Sequence, residues 1–361
     1  RAHPTAVNVG CKYARQRFWI EYNGDIVLTK ANIDRITMSD TPRYQNESDA
    51  RVFFGLERWR SMGRFMDPAP VLAQNHHCHK DGIVMEQKSI AVPLLKDIAE
   101  PLVGDDSIIA MIRFQCKNDS LTPSLAQIPI EYSNNSERSA NRYYWNHFSE
   151  GSSDFLVPTS KRDKLDIAVN STEPSQVLIT SKYQEMDVIR FALDTEMEIE
   201  NTSKGILLKK VLQPGESCEA VLKLPFISLN QKTELKALSD LQFEQSYNKV
   251  REFWINEAAK GAQLYTPEAR LNDLYRTHIA HIMSADVAMN DDPYLVNTSV
   301  GSSTYGNFTN ESVMIMQELE ERGLHEEVRR RLAVWLKYQG QIGLQGNFTD
   351  HDGVFYAAGG F

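Results

Sequence analysis

The apolar residues of this chain change their spacing once, near residue 240, and that change limits the available folds more than any other feature. Before it, apolar and polar residues alternate with a period near two between turn signals, the pattern of antiparallel sheet. Phe18-Trp19-Ile20-Glu21-Tyr22, then Asn23-Gly24, then Asp25-Ile26-Val27-Leu28 reads as a hairpin, because Asn-Gly accepts the positive φ values of a tight reversal. Residues 205–211 and 217–226 read as a second hairpin joined across Pro214-Gly215. Further strands are expected at 82–92, 107–116, 127–132, 166–168, 176–179 and 187–192. So many strands without regular intervening helices argue for a sandwich rather than for parallel sheet with crossover helices. The polar and aromatic stretch 131–160, with Tyr143-Tyr144-Trp145, reads as a long excursion at the sandwich edge.

After the change the spacing is helical. Leu238, Leu241, Tyr247, Val250, Phe253 and Trp254 predict a connecting amphipathic helix over 236–258. Thr266-Pro267-Glu268 joins a capping hydroxyl to a proline tolerated in the first turn, so a helix is expected to start there. Leu271, Leu274, Tyr275, His278, Ile279 and Ile282 form its stripe. Val313, Met316, Gln317 and Glu320 frame the next helix, Gly323 ends it, and a third over 325–339 carries Leu324, Val328, Leu332, Trp335 and Leu336. The expected organisation is an antiparallel β-supersandwich over 1–235, a linker helix over 236–265, and α-helical hairpins over 266–361. Such wide apolar faces need covering, so a further helical segment of the same or a cleaved chain is an expected partner.

Composition excludes several classes. The 361 residues carry 39 Lys+Arg against 48 Asp+Glu, a net charge of -9, without the positive field that nucleic-acid binding uses. No apolar run approaches the roughly 18 residues of a membrane span. Four cysteines, Cys11, Cys78, Cys116 and Cys218, form no C-x-x-C pair, leaving buried thiols or one or two disulfides. Nine N-x-[ST] sequons, at Asn46, Asn118, Asn134, Asn170, Asn201, Asn297, Asn307, Asn310 and Asn347, would suit a secreted glycoprotein.

Chemistry-bearing residues gather in the helical part: Asp286, Asn290, Asp291 and Asp292, then Tyr305, Asn307, Thr309, Asn310 and Glu311, then Asp350, His351 and Asp352. A rim of carboxylates, amides and aromatics suits sugars, which need hydrogen bonds to hydroxyls and stacking on ring faces, and paired carboxylates could act as acid and base across a glycosidic bond. The same residues also cap helices and complement the helix dipole, as Asp291, Asn310, Glu311 and Asp350 would. Asn75-His76-His77-Cys78-His79 holds metal-ligand types, but neighbours in an extended segment point to alternate sides, so a polar turn before a strand is the stronger reading. Phe53, Phe54, Trp59 and Phe65 read as packing residues, although aromatics also serve as sugar platforms.

Three stretches carry a resemblance: 211–226 near the sandwich end, Arg270-Leu271-Asn272-Asp273-Leu274-Tyr275, and 305–335. In layout and short phrases the chain resembles bacterial glycoside hydrolases and related carbohydrate-active proteins in which an N-terminal supersandwich precedes an (α/α)6 toroid, here incomplete. The resemblance implies a secreted or periplasmic protein acting on an oligosaccharide or polysaccharide, with no cofactor and no metal. By position it places Glu311 in catalysis or substrate contact, with Asn310-Glu311 where many relatives have an arginine-aspartate pair. Asp350 and Asp352 would contact hydroxyls, and Tyr305 and Tyr356 would stack on sugar rings. The proton donor of many relatives would fall beyond Phe361. Relatives are commonly inverting, which sets carboxylates about 6.5–9.5 Å apart. Alternatives are a polysaccharide lyase, a glycan phosphorylase, or a non-catalytic carbohydrate-binding or scaffold protein.

Overall fold

A computed structural model describes residues 7–28, 43–44, 47, 50–134, 162–169, 176–183, 186–299, 307–340 and 352–353. Two antiparallel sheets dominate. The first has seven strands in the order β1 (Val7–Gly10), β2 (Arg17–Ile20), β3 (Ile26–Leu28), β4 (Ala50–Phe53), β9 (Ser124–Asn134), β14 (Ile206–Leu212) and β13 (Glu198–Asn201). The second has eight, in the order β10 (Asp166–Val169), β11 (Gln176–Tyr183), β12 (Met186–Thr195), β15 (Ser217–Pro225), β8 (Ile108–Asn118), β7 (Ile83–Pro93), β6 (Gln74–Lys80) and β5 (Arg60–Met66). A two-stranded ribbon, β16 (Val287–Ala288) and β17 (Val296–Asn297), follows.

The period-two residues build the core between the sheets. Phe18, Ile20, Val52, Ile128 and Leu208 from the first sheet meet Met85, Ile112, Phe114, Phe191 and Leu222 from the second in one buried cluster. Phe54 and Phe114 cross edge to face at 4.9 Å between ring centres, a favoured aromatic geometry.

Five helices are described: α1 (Lys232–Asp240), α2 (Phe243–Ala259), α3 (Ala269–Ala285), α4 (Thr309–Glu321) and α5 (His325–Tyr338). The expected fold class of a sandwich followed by hairpins of an incomplete (α/α)6 toroid is therefore corrected: the chain is a β-sandwich of two large sheets with a few helices. The physical reason is where the helices bury their apolar stripes. Trp254, Ile279, Met316, Leu319 and Trp335 share a cluster with Ile90, Val92, Ile109, Met111 and Val221 of the eight-stranded sheet, so the helices use that sheet's outer face as their floor. β7 shows the same cover, alternating in burial up to Gln87 and becoming continuously buried from Ser89 to its end, as expected of a strand covered on both faces.

Two local expectations also change. Residues 206–212 and 217–225 do not pair with each other: β14 pairs with β9 and β13, and β15 with β8 and β12. The Gln213–Glu216 turn, with Gly215 at φ 79, is an arch from one sheet to the other, which lets both strands turn their apolar face inward. The single linker helix is two helices, divided at Leu241 and Gln242.

Candidate functional site

The helices cover the eight-stranded sheet, and the outer face of the seven-stranded sheet carries a cleft of about 310 Å³. Its floor is the outward-pointing row Leu125, Gln127, Pro129 and Glu131 of β9, with Leu207 of β14 beside it. Alternation puts these residues outside, because Ala126, Ile128 and Ile130 between them fill the core. One wall is the loop after β4, with Phe53, Gly55, Glu57, Arg58 and Trp59, and the other is the β6–β7 hairpin tip at Lys80 and Asp81. Gly55 is required where it stands: its φ is 64, and a Cβ there would lie 2.9 Å from Cγ of Pro129.

Part of the lining is fixed by internal bonds. Asp25 accepts from the Phe54 amide at 3.0 Å, from Arg51 Nη2 at 2.7 Å and from Asn23 Nδ2 at 3.0 Å. Arg162 Nε donates to Glu131 Oε2 at 2.6 Å, and its guanidinium lies 3.5 Å from the Phe53 ring centre, with Arg51 at 4.6 Å from the same ring. The rest is open: among the described residues, Lys80, Asp81, Gln127 and Lys204 make no side-chain hydrogen bond or ion pair. Asp25, Glu57, Asp81 and Glu131 balance Arg58, Lys80, Arg162 and Lys204, so the lining carries many donors and acceptors and no net charge.

A second hollow, about 400 Å³, lies between the sandwich end and the helices and is lined by Arg43, Lys96, Asp105, Asp106, Glu234 and Asp291 among others. These six charged groups are already engaged. Arg43 pairs with Glu234 at 2.7 Å, Lys96 with Asp106 at 2.8 Å and Asp291 with Lys337 at 2.6 Å, while Asp105 accepts the Arg43 and Tyr44 amides at 3.0 and 2.9 Å. Larger but satisfied, it reads as structural.

Of the residues expected in a sugar site, Glu311 stands half-buried in the first turn of α4, Asn310 is exposed beside it, and Asp352 is exposed. Neither Glu311, Asn310 nor Asp352 lines the cleft. Tyr305, Asp350 and Tyr356 lie outside the described residues. The nearby acid of this region is committed to structure: Asp286 is fully buried, bonded to Arg331 Nη2 at 2.5 Å and to the Ser299 amide at 2.9 Å. Burial pushes its carboxyl upward, against the pull of Arg331.

The histidine tract is strand β6, not a turn. His76 faces Ser61 Oγ at 3.3 Å, His77 Nε2 lies 3.1 Å from Glu86, and Cys78 points into the core. Burial, with Arg64 and His77, lowers His76 to about 4. Among the described residues no three His, Cys, Asp or Glu side chains are arranged to hold a metal. Three sequons are also structural: Asn118 donates to the carbonyls of Thr122 and Leu212, both at 2.8 Å, and buried Asn307 donates to buried Asn297 at 2.9 Å. No described helix is long and apolar enough to cross a membrane.

Composition had no means of marking the cleft. Its residues come from the turn before β3, the end of β4 and the loop after it, the β6–β7 tip, β9, Arg162, and Lys204 with Leu207 of β14, and the local signal was the aromatics Phe53 and Trp59 beside charged neighbours. Compared with protein-family models and with curated proteins, the chain matches none.

Proposed function

We propose that the protein binds carbohydrate in the cleft on the seven-stranded sheet. One observation carries the reading: Lys80, Asp81, Gln127 and Lys204 present donors and acceptors that no described residue engages, beside the half-buried Trp59, in a lining of zero net charge. A neutral polyhydroxylated ligand uses such a surface, with hydroxyls on the polar groups and an apolar ring face on the aromatic. Binding without turnover is preferred to hydrolysis. Acid and base catalysis needs a pair of carboxyl groups free to move protons, whereas Arg162 holds Glu131, three donors hold Asp25 and Arg58 lies 3.6 Å from Glu57, which leaves Asp81 alone among the cleft carboxylates without a partner among the described residues.

The test is a panel of neutral and uronic-acid glycans titrated against the full chain by calorimetry. A neutral glycan should bind, and Trp59→Ala or Gln127→Ala should each weaken it about tenfold, on the order of 1.4 kcal/mol. Absence of binding across the panel, or binding indifferent to both substitutions, rejects the cleft. Release of reducing ends would move the reading back to a hydrolase, and Glu311→Gln is then the variant to compare.

A further inference from the structure

Four sulfur-bearing side chains stand in one row across the inner face of the eight-stranded sheet. Cys218 is opposite Cys116, Cys116 is opposite Met85, and Met85 is opposite Cys78. All four belong to the core between the sheets. Directly opposed residues of an antiparallel pair have Cα atoms about 4.5–5.5 Å apart, inside the roughly 4.4–6.8 Å that a disulfide accepts. Cys78 lies two strands from Cys116, about 9.5 Å, which is too far. Cys11 donates to the Ala91 carbonyl at 3.6 Å, and Ala91 lies about 20 Å along β7 from Met85. Register thus leaves one pairing among the four cysteines.

The two thiols of that pair are unequal. The interaction with the facing Cys218 thiol, together with burial, pushes the Cys116 thiol up. The same thiol–thiol interaction, helped by nearby Lys210, lowers Cys218 against the effect of its burial. Burial raises the other two, Cys78 to about 12. Cys218 is the second residue of β15 and Cys116 is two residues from the end of β8, beside the arch at 213–216. Strand ends open more readily than strand centres, so a reagent reaches this pair before the middle of the core.

We propose that Cys116 and Cys218 are a redox-active pair that closes a cross-strand disulfide on meeting a small-molecule disulfide. The Cys218 thiolate attacks one sulfur of the reagent, forming a mixed disulfide and releasing one thiolate. The Cys116 thiolate then attacks the Cys218 sulfur and releases the second. Two protein thiols and one reagent disulfide become one protein disulfide and two reagent thiols, which take up the two protons.

The experiment incubates the full chain with oxidised glutathione, alkylates the remaining thiols in denaturant, digests without reduction and identifies peptides by mass. The expected result is loss of two of the four thiols, a linked peptide pair containing Cys116 and Cys218, and a rise in Tm that dithiothreitol reverses. Cys78→Ser should keep the link and Cys218→Ser should abolish it. Four alkylated thiols, a link through Cys11 or Cys78, or glutathione retained on Cys218 without closure would overturn the proposal. The wild-type peptide map decides even if a variant fails to fold.

Discussion

Glu327 carries the electrostatics of the junction between sandwich and helices. Lys12 donates to it at 3.0 Å, Tyr13 donates its hydroxyl, and Arg330 and Arg331 lie at 3.3 and 3.4 Å. Burial acts to raise this carboxyl, but these partners overcome it and hold it at about 2, below its ordinary 4.5. A depressed carboxyl stabilises the fold above its unfolded value and loses that contribution as pH falls through the folded one. The contribution, on the order of 3 kcal/mol, should therefore be complete above about pH 4.5 and fade toward pH 2. Denaturant midpoints from pH 2 to pH 6 should fall more steeply for the wild type than for Glu327→Gln, and parallel curves would contradict this. Gly205 gives a steric counterpart: a Cβ there would stand 2.3 Å from the Ile130 carbonyl oxygen, so Gly205→Ala should cost about 1–3 kcal/mol in urea unfolding.

At the scale of elements, strand positions were legible because alternation repeats within a few residues: 82–92, 107–116 and 187–192 match observed strands to within a residue at their starts. Partners were less legible. Pro214-Gly215 marks a reversal in sequence, yet whether the next strand returns to the same sheet depends on what lies opposite, which is non-local. Strand β6 was hidden by its own composition, since histidines and asparagine disguise a strand whose alternate residues include buried His76 and Cys78. The helical stripes overstated burial for a related reason, because spacing shows that residues share a face without showing what meets it. Ile279 and Ile282 are buried, while Leu274 on the same stripe is 66% exposed and Leu336 of α5 is 69% exposed. Leu274→Lys and Leu336→Lys should leave the thermal midpoint nearly unchanged and lower light scattering at high concentration. A large drop in midpoint would show that these faces are covered.

For the whole molecule, the decisive fact is that sandwich and helices share a core. Trp254 of α2 is 1% exposed in the cluster that also contains Ile90 and Met111 of the sheet. Trp254→Ala should cost about 3–5 kcal/mol, and sheet and helix signals in circular dichroism should still melt together. Two separated transitions would mean that the helices fold as their own unit. The candidate site follows the same logic. The sequence drew attention to the helical loops, where polar residues cluster along the chain, but the open cleft is assembled on the other layer from segments spread between Asn23 and Leu207. Local clustering and spatial convergence are different properties, and only the second requires the fold.

The arch at Gln213–Glu216 ties the two layers together directly, unlike the Asp81-Gly82 tip, which joins neighbours within one layer. A protease nick at 213–216 would leave both sheets with an unanchored strand at once, whereas a nick at 81–82 would release one end of a hairpin still held by its neighbours. The arch is consequently a poor place for a tag or a permuted terminus, and the hairpin tip, though structurally forgiving, sits on the lip of the proposed sugar cleft.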